Sequence, residues 1–212
     1  EVSYFIKNSG AKLFICQSSK EAELVAVAEK SGALLETFNA DGTGSFTELT
    51  RNKDDSFKTV ERDGEDLVAL LYTSGTTGRS KGAMLSQNNL LSNAETLVEL
   101  WKFTEKDVLL HALPIFHTHG LFVATNVTLA AGGSMIFMPK FDLDSIIENL
   151  PSATTMMGVP TFYTRLLNDS RFNKDLTQHM RLFVSGSAPL LAETHVQFEA
   201  RTGHRILERY GM

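Results

Sequence analysis

The residues best suited to chemistry in this chain of 212 lie between Tyr72 and Gly82, in YTSGTTGRSKG, just after the apolar run Leu67 to Leu71. Gly75, Gly78 and Gly82 allow backbone conformations closed to other residues, so successive N–H groups can point into one concavity. Thr73, Ser74, Thr76 and Thr77 add hydroxyl donors, and Arg79 and Lys81 add mobile positive charge. Together they describe a cradle for a polyphosphate. A solvated turn uses the same residue types, but rarely so many of them beside an apolar strand. The loop is not the G-x-x-x-x-G-K-S/T of nucleoside triphosphatases, because Gly78 is followed by Arg79-Ser80-Lys81 and the chain returns into the strand-like Ala83-Met84-Leu85. The dinucleotide fingerprint G-x-G-x-x-G is also missing.

Three further segments sit where a strand gives way to a helix or ends. Pro114-Ile115-Phe116-His117-Thr118-His119-Gly120 carries two histidines, but without a clear third ligand they make a weak zinc site, and a packing or capping role is a strong alternative for His119. Ser185-Gly186-Ser187-Ala188-Pro189-Leu190 has small residues against which a flat ring could lie, with backbone groups to read its edge; by itself it reads only as a loop and helix cap. Glu208-Arg209-Tyr210-Gly211-Met212 reads as a strand end with an aromatic. Arg165 admits three readings: a solvated charge, an ion pair with Asp169 four residues on, or an anchor for a substrate carboxylate.

The elements that must position these groups alternate. A helix capped by Gly10 is expected first, then a strand from Lys12 to Cys16 and a helix from Glu21 to Lys30 closed by Gly32. The pattern weakens from Glu36 to Glu65, where a surface loop or small peripheral strands fit, and the charge run Arg51 to Asp55 reads as a solvated face. Ser86 is placed to cap a helix that carries Leu90, Leu91, Ala94, Leu97, Val98 and Trp101 on one face, Trp101 being the expected core anchor. Beyond Asp107 the expected strands are 108–111, 135–138, 154–157, 181–185 and 205–208, with helices at 120–131, 143–150, from Pro160, and 191–202, and a polar loop at 168–175. Such alternation predicts an α/β fold in which parallel sheets are covered by helices on both faces, with ligands at the carboxyl ends of the strands.

Composition narrows the partners. Twenty basic against twenty-five acidic residues give a net charge of −5, with no Lys/Arg cluster to track a nucleic-acid backbone, and no apolar run is long enough to span a bilayer. The single cysteine, Cys16, cannot form an internal disulfide and reads as a buried small hydrophobe, which suits a reducing compartment. The start without Met or an apolar leader, and the end within the last segment, lead us to expect an internal fragment of one large domain.

The loop at 72–82 resembles the signature S/T-S-G-S/T-T-G-x-P-K-G of the AMP-forming acyl-CoA synthetases, the adenylate-forming superfamily. One position departs: Ser80 stands where proline is usual, which removes a backbone restraint but no ligand-contacting group. The histidine segment is similar to the superfamily's P-x-F/Y-H-x-x-G, the segment at 185–190 to its adenine-lining loop, and Tyr210-Gly211 to the start of its Y-G-x-T-E. The resemblance implies an acid–thiol ligase that uses ATP with Mg2+ to form acyl-AMP and pyrophosphate, then passes the acyl group to coenzyme A. It implies Thr73, Lys81 and His117 as catalytic residues, and Thr73, Ser74, Gly75, Thr76, Thr77, Gly78 and Lys81 around the phosphates. Gly186, Ser187, Ala188, Pro189, Glu208, Tyr210 and Gly211 fall at the adenine, and His117 and Ser185 at the acyl group; Arg165 is placed there too, by its position just after a strand's carboxyl end and the match of guanidinium to carboxylate. No metal ligand is assigned; the family's magnesium glutamate would lie beyond Met212.

Within the superfamily, TTMMGVPTFYTR (154–165) and SGSAPL (185–190) are most similar to malonyl-CoA synthetases, making malonate the expected acid. The alternatives are another short or medium, fatty or aromatic acid, or a non-catalytic nucleotide-binding module. Residues 1–212 are then expected to be part of an AMP-binding N-terminal domain, without the C-terminal domain that carries a catalytic lysine and inactive alone, in an enzyme of the cytoplasm or mitochondrial matrix.

Overall fold

A computed structural model describes residues 1–73 and 80–211, the side chain of Thr73 excepted. The chain forms two compact units, Glu1–Gln87 and Asn88–Met212.

In the first unit, α1 (Val2–Ser9) ends as expected on Gly10, whose φ of 67° lets its N–H turn back to the carbonyls of Ile6 and Lys7. β1 (Leu13–Cys16), α2 (Glu21–Ser31) and β2 (Leu34–Thr37) make a strand–helix–strand unit in which β1 and β2 run parallel, Leu13 opposite Leu34. Cys16 is only half-buried, which corrects its expected full burial. The Ser45 hydroxyl accepts the backbone N–H of Thr37 at 2.9 Å, fixing α3 (Ser45–Thr50) to the end of β2. β3 (Leu67–Thr73) and β4 (Lys81–Ser86) then pair antiparallel, Tyr72 opposite Gly82 and Thr73 opposite Lys81. This antiparallel pair stands beside the parallel sheets expected.

The second unit opens with α4, which runs from Gln87 at the boundary to Trp101. There follow β5 (Val108–His111), a π-helical segment (His119–Thr125) continuing into α5 (Asn126–Ala130), β6 (Ser134–Phe137), α6 (Leu143–Asn149) and β7 (Thr155–Gly158). α7 (Pro160–Leu167), the short α8 (Lys174–Thr177), β8 (Leu182–Ser185), α9 (Ala192–Thr202) and β9 (Ile206–Glu208) complete it. The five strands form one parallel sheet in the order β6-β5-β7-β8-β9.

Strand alternation sorts the core into two layers. Leu110, Met156, Phe183 and Ile206 pack with Ile146, Tyr163, Leu166 and Phe198 of α6, α7 and α9, while Leu109, Met157 and Val184 pack with Trp101, Val123 and Val127 on the other face. At the amino ends, buried Asp107 accepts Thr154 Oγ1 and Arg181 Nε, each at 2.9 Å, while Arg181 also donates to the Trp101 carbonyl at 2.8 Å. This network ties together the starts of β5, β7 and β8 and leaves the carboxyl ends for a site.

Candidate active site

At the carboxyl end of β5, buried His111 places Nε2 3.0 Å from the Gly120 carbonyl and 3.1 Å from Thr125 Oγ1. Both partners belong to the π-helical segment, so the histidine braces an irregular turn of a kind common at functional sites. Only glycine fits at 120, because a Cβ there would lie 2.3 Å from the Pro114 carbonyl oxygen.

That turn separates the two histidines of the segment. His117 is exposed, its ring 4.9 Å from that of Phe116. His119 is 2% exposed, and its Nδ1 lies 3.1 Å from Ser187 Oγ. Burial above all, then the nearby positive charge of Arg209 and a smaller contribution from His111, lower the His119 pKa to about 4, so the ring is neutral near pH 7. Its Nε2 has no partner among the described residues, and neither do His111 Nδ1 and the hydroxyl of the fully buried Ser185. Unsatisfied buried polar atoms beside a strand end are where a ligand atom would complete the set.

The end of β8 meets the end of β9 over Gly186. The Arg209 N–H donates to the Ser185 carbonyl at 2.8 Å, and a Cβ on Gly186 would lie 2.9 Å from Arg209 Cγ and 3.0 Å from His119 Cε1. Gly186, expected at the adenine, therefore serves close approach of these two side chains. Ser187 takes a φ of 70°, unusual for a residue with a Cβ. Arg209 is half-buried, burial lowers its pKa, and no ion pair among the described residues involves it.

Beside this cluster, Ser187, Ala188 and Pro189 face Glu208, Arg209, Tyr210 and Gly211 across a cleft of about 180 Å³. Six of the seven residues expected at the adenine line it, with Tyr210 87% exposed. Glu208 is held from two sides, by His195 Nε2 at 3.1 Å and by the Leu190 N–H at 3.5 Å.

Arg165 packs on an aromatic ring outside this cluster. It is exposed on α7, and its guanidinium lies over the Phe141 ring, 4.5 Å from the centroid. Asp169 is taken by Arg171 at 2.7 Å, which disfavours the ion-pair reading among the three open for Arg165. Thr73 and Lys81 end and begin the strands of the hairpin. Ser74, Gly75, Thr76, Thr77 and Gly78, together with Arg79, lie outside the described residues. Arg209 was not among the expected site residues, and His119 was read as a packing or capping residue. An arginine beside Tyr210-Gly211 and a second histidine before a glycine were the available signals. Among the described residues no group of three or more His, Cys, Asp or Glu could hold a metal ion.

Known proteins similar to this chain share its fold. MatB from Rhodopseudomonas palustris is 58% identical in its apo crystal structure (TM-score 0.96) and 59% in its ATP-bound one (TM-score 0.94), each covering 100% of this chain and 42% of that one. A malonyl-CoA ligase solved as a ternary product complex with methylmalonyl-CoA and AMP is 31% identical (TM-score 0.76), over 100% of this chain and 44% of that one. The malonate–CoA ligase of Arabidopsis thaliana is 33% identical over 234 residues, 100% of this chain and 38% of that protein. The chain thus spans about two fifths of the length of these relatives. The model of the AMP-binding enzyme family matches residues 1–212, and the chain belongs to that family.

Proposed function

We propose that the protein containing this chain is an ATP-dependent acyl-CoA ligase that activates malonate. The observation that carries the reading is the 58% identity to MatB over the whole chain. In the first half-reaction a substrate carboxylate oxygen attacks the α-phosphorus of ATP, the bond to pyrophosphate breaks, and acyl-AMP forms. In the second, the coenzyme A thiol sulfur attacks the acyl carbon, its proton passes to solvent, and AMP leaves. A carboxylic acid with a pKa near ~4 is already ionised at neutral pH, so the first attack needs no general base. The work left to the protein is alignment and charge compensation.

The loop from Thr73 to Lys81 is the phosphate cradle, and the cleft between 187–189 and 208–211 takes the adenine. His117 and Ser185 are assigned to the acyl side. For the second carboxylate of malonate Arg165 is the assigned partner, because no ion pair among the described residues takes up its guanidinium, Asp142 being near only as a through-space charge. Arg209 is a second reading, favoured by its half-buried charge beside the unsatisfied His119 Nε2. Magnesium would arrive with the nucleotide; the described residues form no cluster to hold it, and no step is drawn through it. A reducing intracellular setting fits the lone Cys16 and a thiol co-substrate.

Lys81→Ala in the full-length enzyme tests the cradle. A charge-assisted contact worth roughly 1.5–3 kcal/mol implies a loss of about tenfold or more in malonate-dependent ATP–pyrophosphate exchange. Unchanged exchange would remove the cradle from the mechanism.

A further inference from the structure

Helix α1 meets both feet of the phosphate loop. Where β3 enters the loop, the Tyr72 hydroxyl donates to Asn8 Oδ1 at 2.7 Å, and the Tyr72 ring packs 4.6 Å from Phe5 and 6.1 Å from Tyr4. Where the chain leaves the loop, the Tyr4 hydroxyl donates to the Ser80 carbonyl at 2.9 Å. The two hydrogen bonds span 64 and 76 residues of sequence, so they are tertiary ties and not features of the turn itself. One turn of one helix thereby holds the residues on either side of the glycine-rich stretch.

Ser80 is also where the chain departs from the superfamily pattern, with serine in place of proline. A proline ring restrains φ and lowers the number of conformations the exit of the loop can visit. Serine gives that restraint up. A hydrogen bond from a helix to the carbonyl of the same residue restores it by tertiary means, and it leaves the residue's own side chain outside the contact.

We propose that Tyr4 is a positioning residue for the phosphate loop: its hydroxyl, acting on the Ser80 carbonyl, holds the loop exit in the nucleotide-binding geometry that a proline would otherwise impose. This rests on the cradle reading above. Tyr4 acts through Ser80 on the neighbouring Lys81, whose ammonium has to meet the phosphates. Asn8 plays the corresponding part at the loop entrance through Tyr72.

The test is a double-mutant cycle in the full-length enzyme, read by malonate-dependent ATP–pyrophosphate exchange. Tyr4→Phe deletes only the hydroxyl, and Ser80→Pro keeps the carbonyl while supplying the ring. The loss of one neutral hydrogen bond corresponds to a rise of about three- to tenfold in the KM for ATP in Tyr4→Phe, with the KM for malonate and the melting temperature unmoved. Because Ser80 lies in the cradle, the comparison is made within each background: Tyr4→Phe should raise the KM for ATP about three- to tenfold in the parent but by less than about twofold when added to Ser80→Pro. An equal rise in both backgrounds, or a Tyr4→Phe enzyme that loses thermal stability and affinity for both substrates together, would overturn the proposal. If Tyr4→Phe is silent while Lys81→Ala impairs exchange, the brace fails and the cradle stands. If Lys81→Ala is itself silent, both fail.

Discussion

Nδ1 of His119 and Oγ of Ser187 lie 3.1 Å apart although 68 residues separate them, and the bond joins the π-helical segment after β5 to the loop after β8. It joins the acyl and adenine sides of the proposed site through a ring that burial keeps neutral.

The pH dependence of stability follows from that ring. The folded pKa of about 4 lies below the unfolded value of 6.5, so between those values the unfolded chain binds more protons. Stability is fully present above about pH 6.5 and falls as the pH drops towards 4, on the order of 3 kcal/mol in all. His111, whose pKa burial also lowers, adds to the loss with the same sign. The melting temperature of the full-length enzyme should decline between pH 6.5 and 4.5, and His119→Gln should decline less steeply. Parallel profiles for the two proteins would show that His119 does not titrate in this way.

The proposed selectivity for malonate separates the two arginines. Arg165→Leu is expected to lower kcat/KM for malonate by about tenfold or more while propionate and butyrate are used as well as before or better. The same experiment with Arg209→Leu decides between the two sites, since a lost carboxylate partner gives the selective pattern and a lost structural contact lowers all three acids together. A malonate rate untouched in Arg165→Leu would remove Arg165 from recognition.

Gly120→Ala tests the turn that presents His119. The added Cβ would meet the Pro114 carbonyl oxygen at 2.3 Å, and backbone offers little room to yield. Overpacking of this kind costs about 1–3 kcal/mol, which thermal unfolding of the full-length enzyme would register as a lowered melting temperature. A variant as stable as the parent, with an unchanged KM for malonate, would show that the turn relaxes freely.

The parallel sheet was legible because its strands are short apolar runs, the first four each followed by a helix signal, and every strand was placed to within one residue. β2 and α3 were not separable from the weak stretch they sit in. Leu34-Leu35-Glu36-Thr37 has no alternation, and Ser45–Thr50 is too short to show a helical face. The antiparallel pairing of β3 with β4 was hidden for a different reason, since strand periodicity says nothing about the direction of the partner. At the site, spacing found the histidine segment but could not tell which ring would be buried. That depends on an irregular turn whose hydrogen bonds come from His111 and Thr125. Spacing alone could not choose among the three readings of Arg165; the ion pair with Asp169 drops out because Arg171, two residues on, reaches the same carboxylate and Asp144 as well.

The π-helical segment at His119–Thr125 makes chain length, as well as residue identity, part of the site. A π turn accommodates one more residue than an α turn, so deleting any single residue between 121 and 124 would let the segment relax into regular helix. Each residue of an α-helix advances about 100° around the axis. Such a deletion, even one that removed only an alanine, would rotate His119 off Ser187 and bring a neighbouring side chain to its place. The segment should therefore tolerate many substitutions on its outer face while admitting no change in its number of residues.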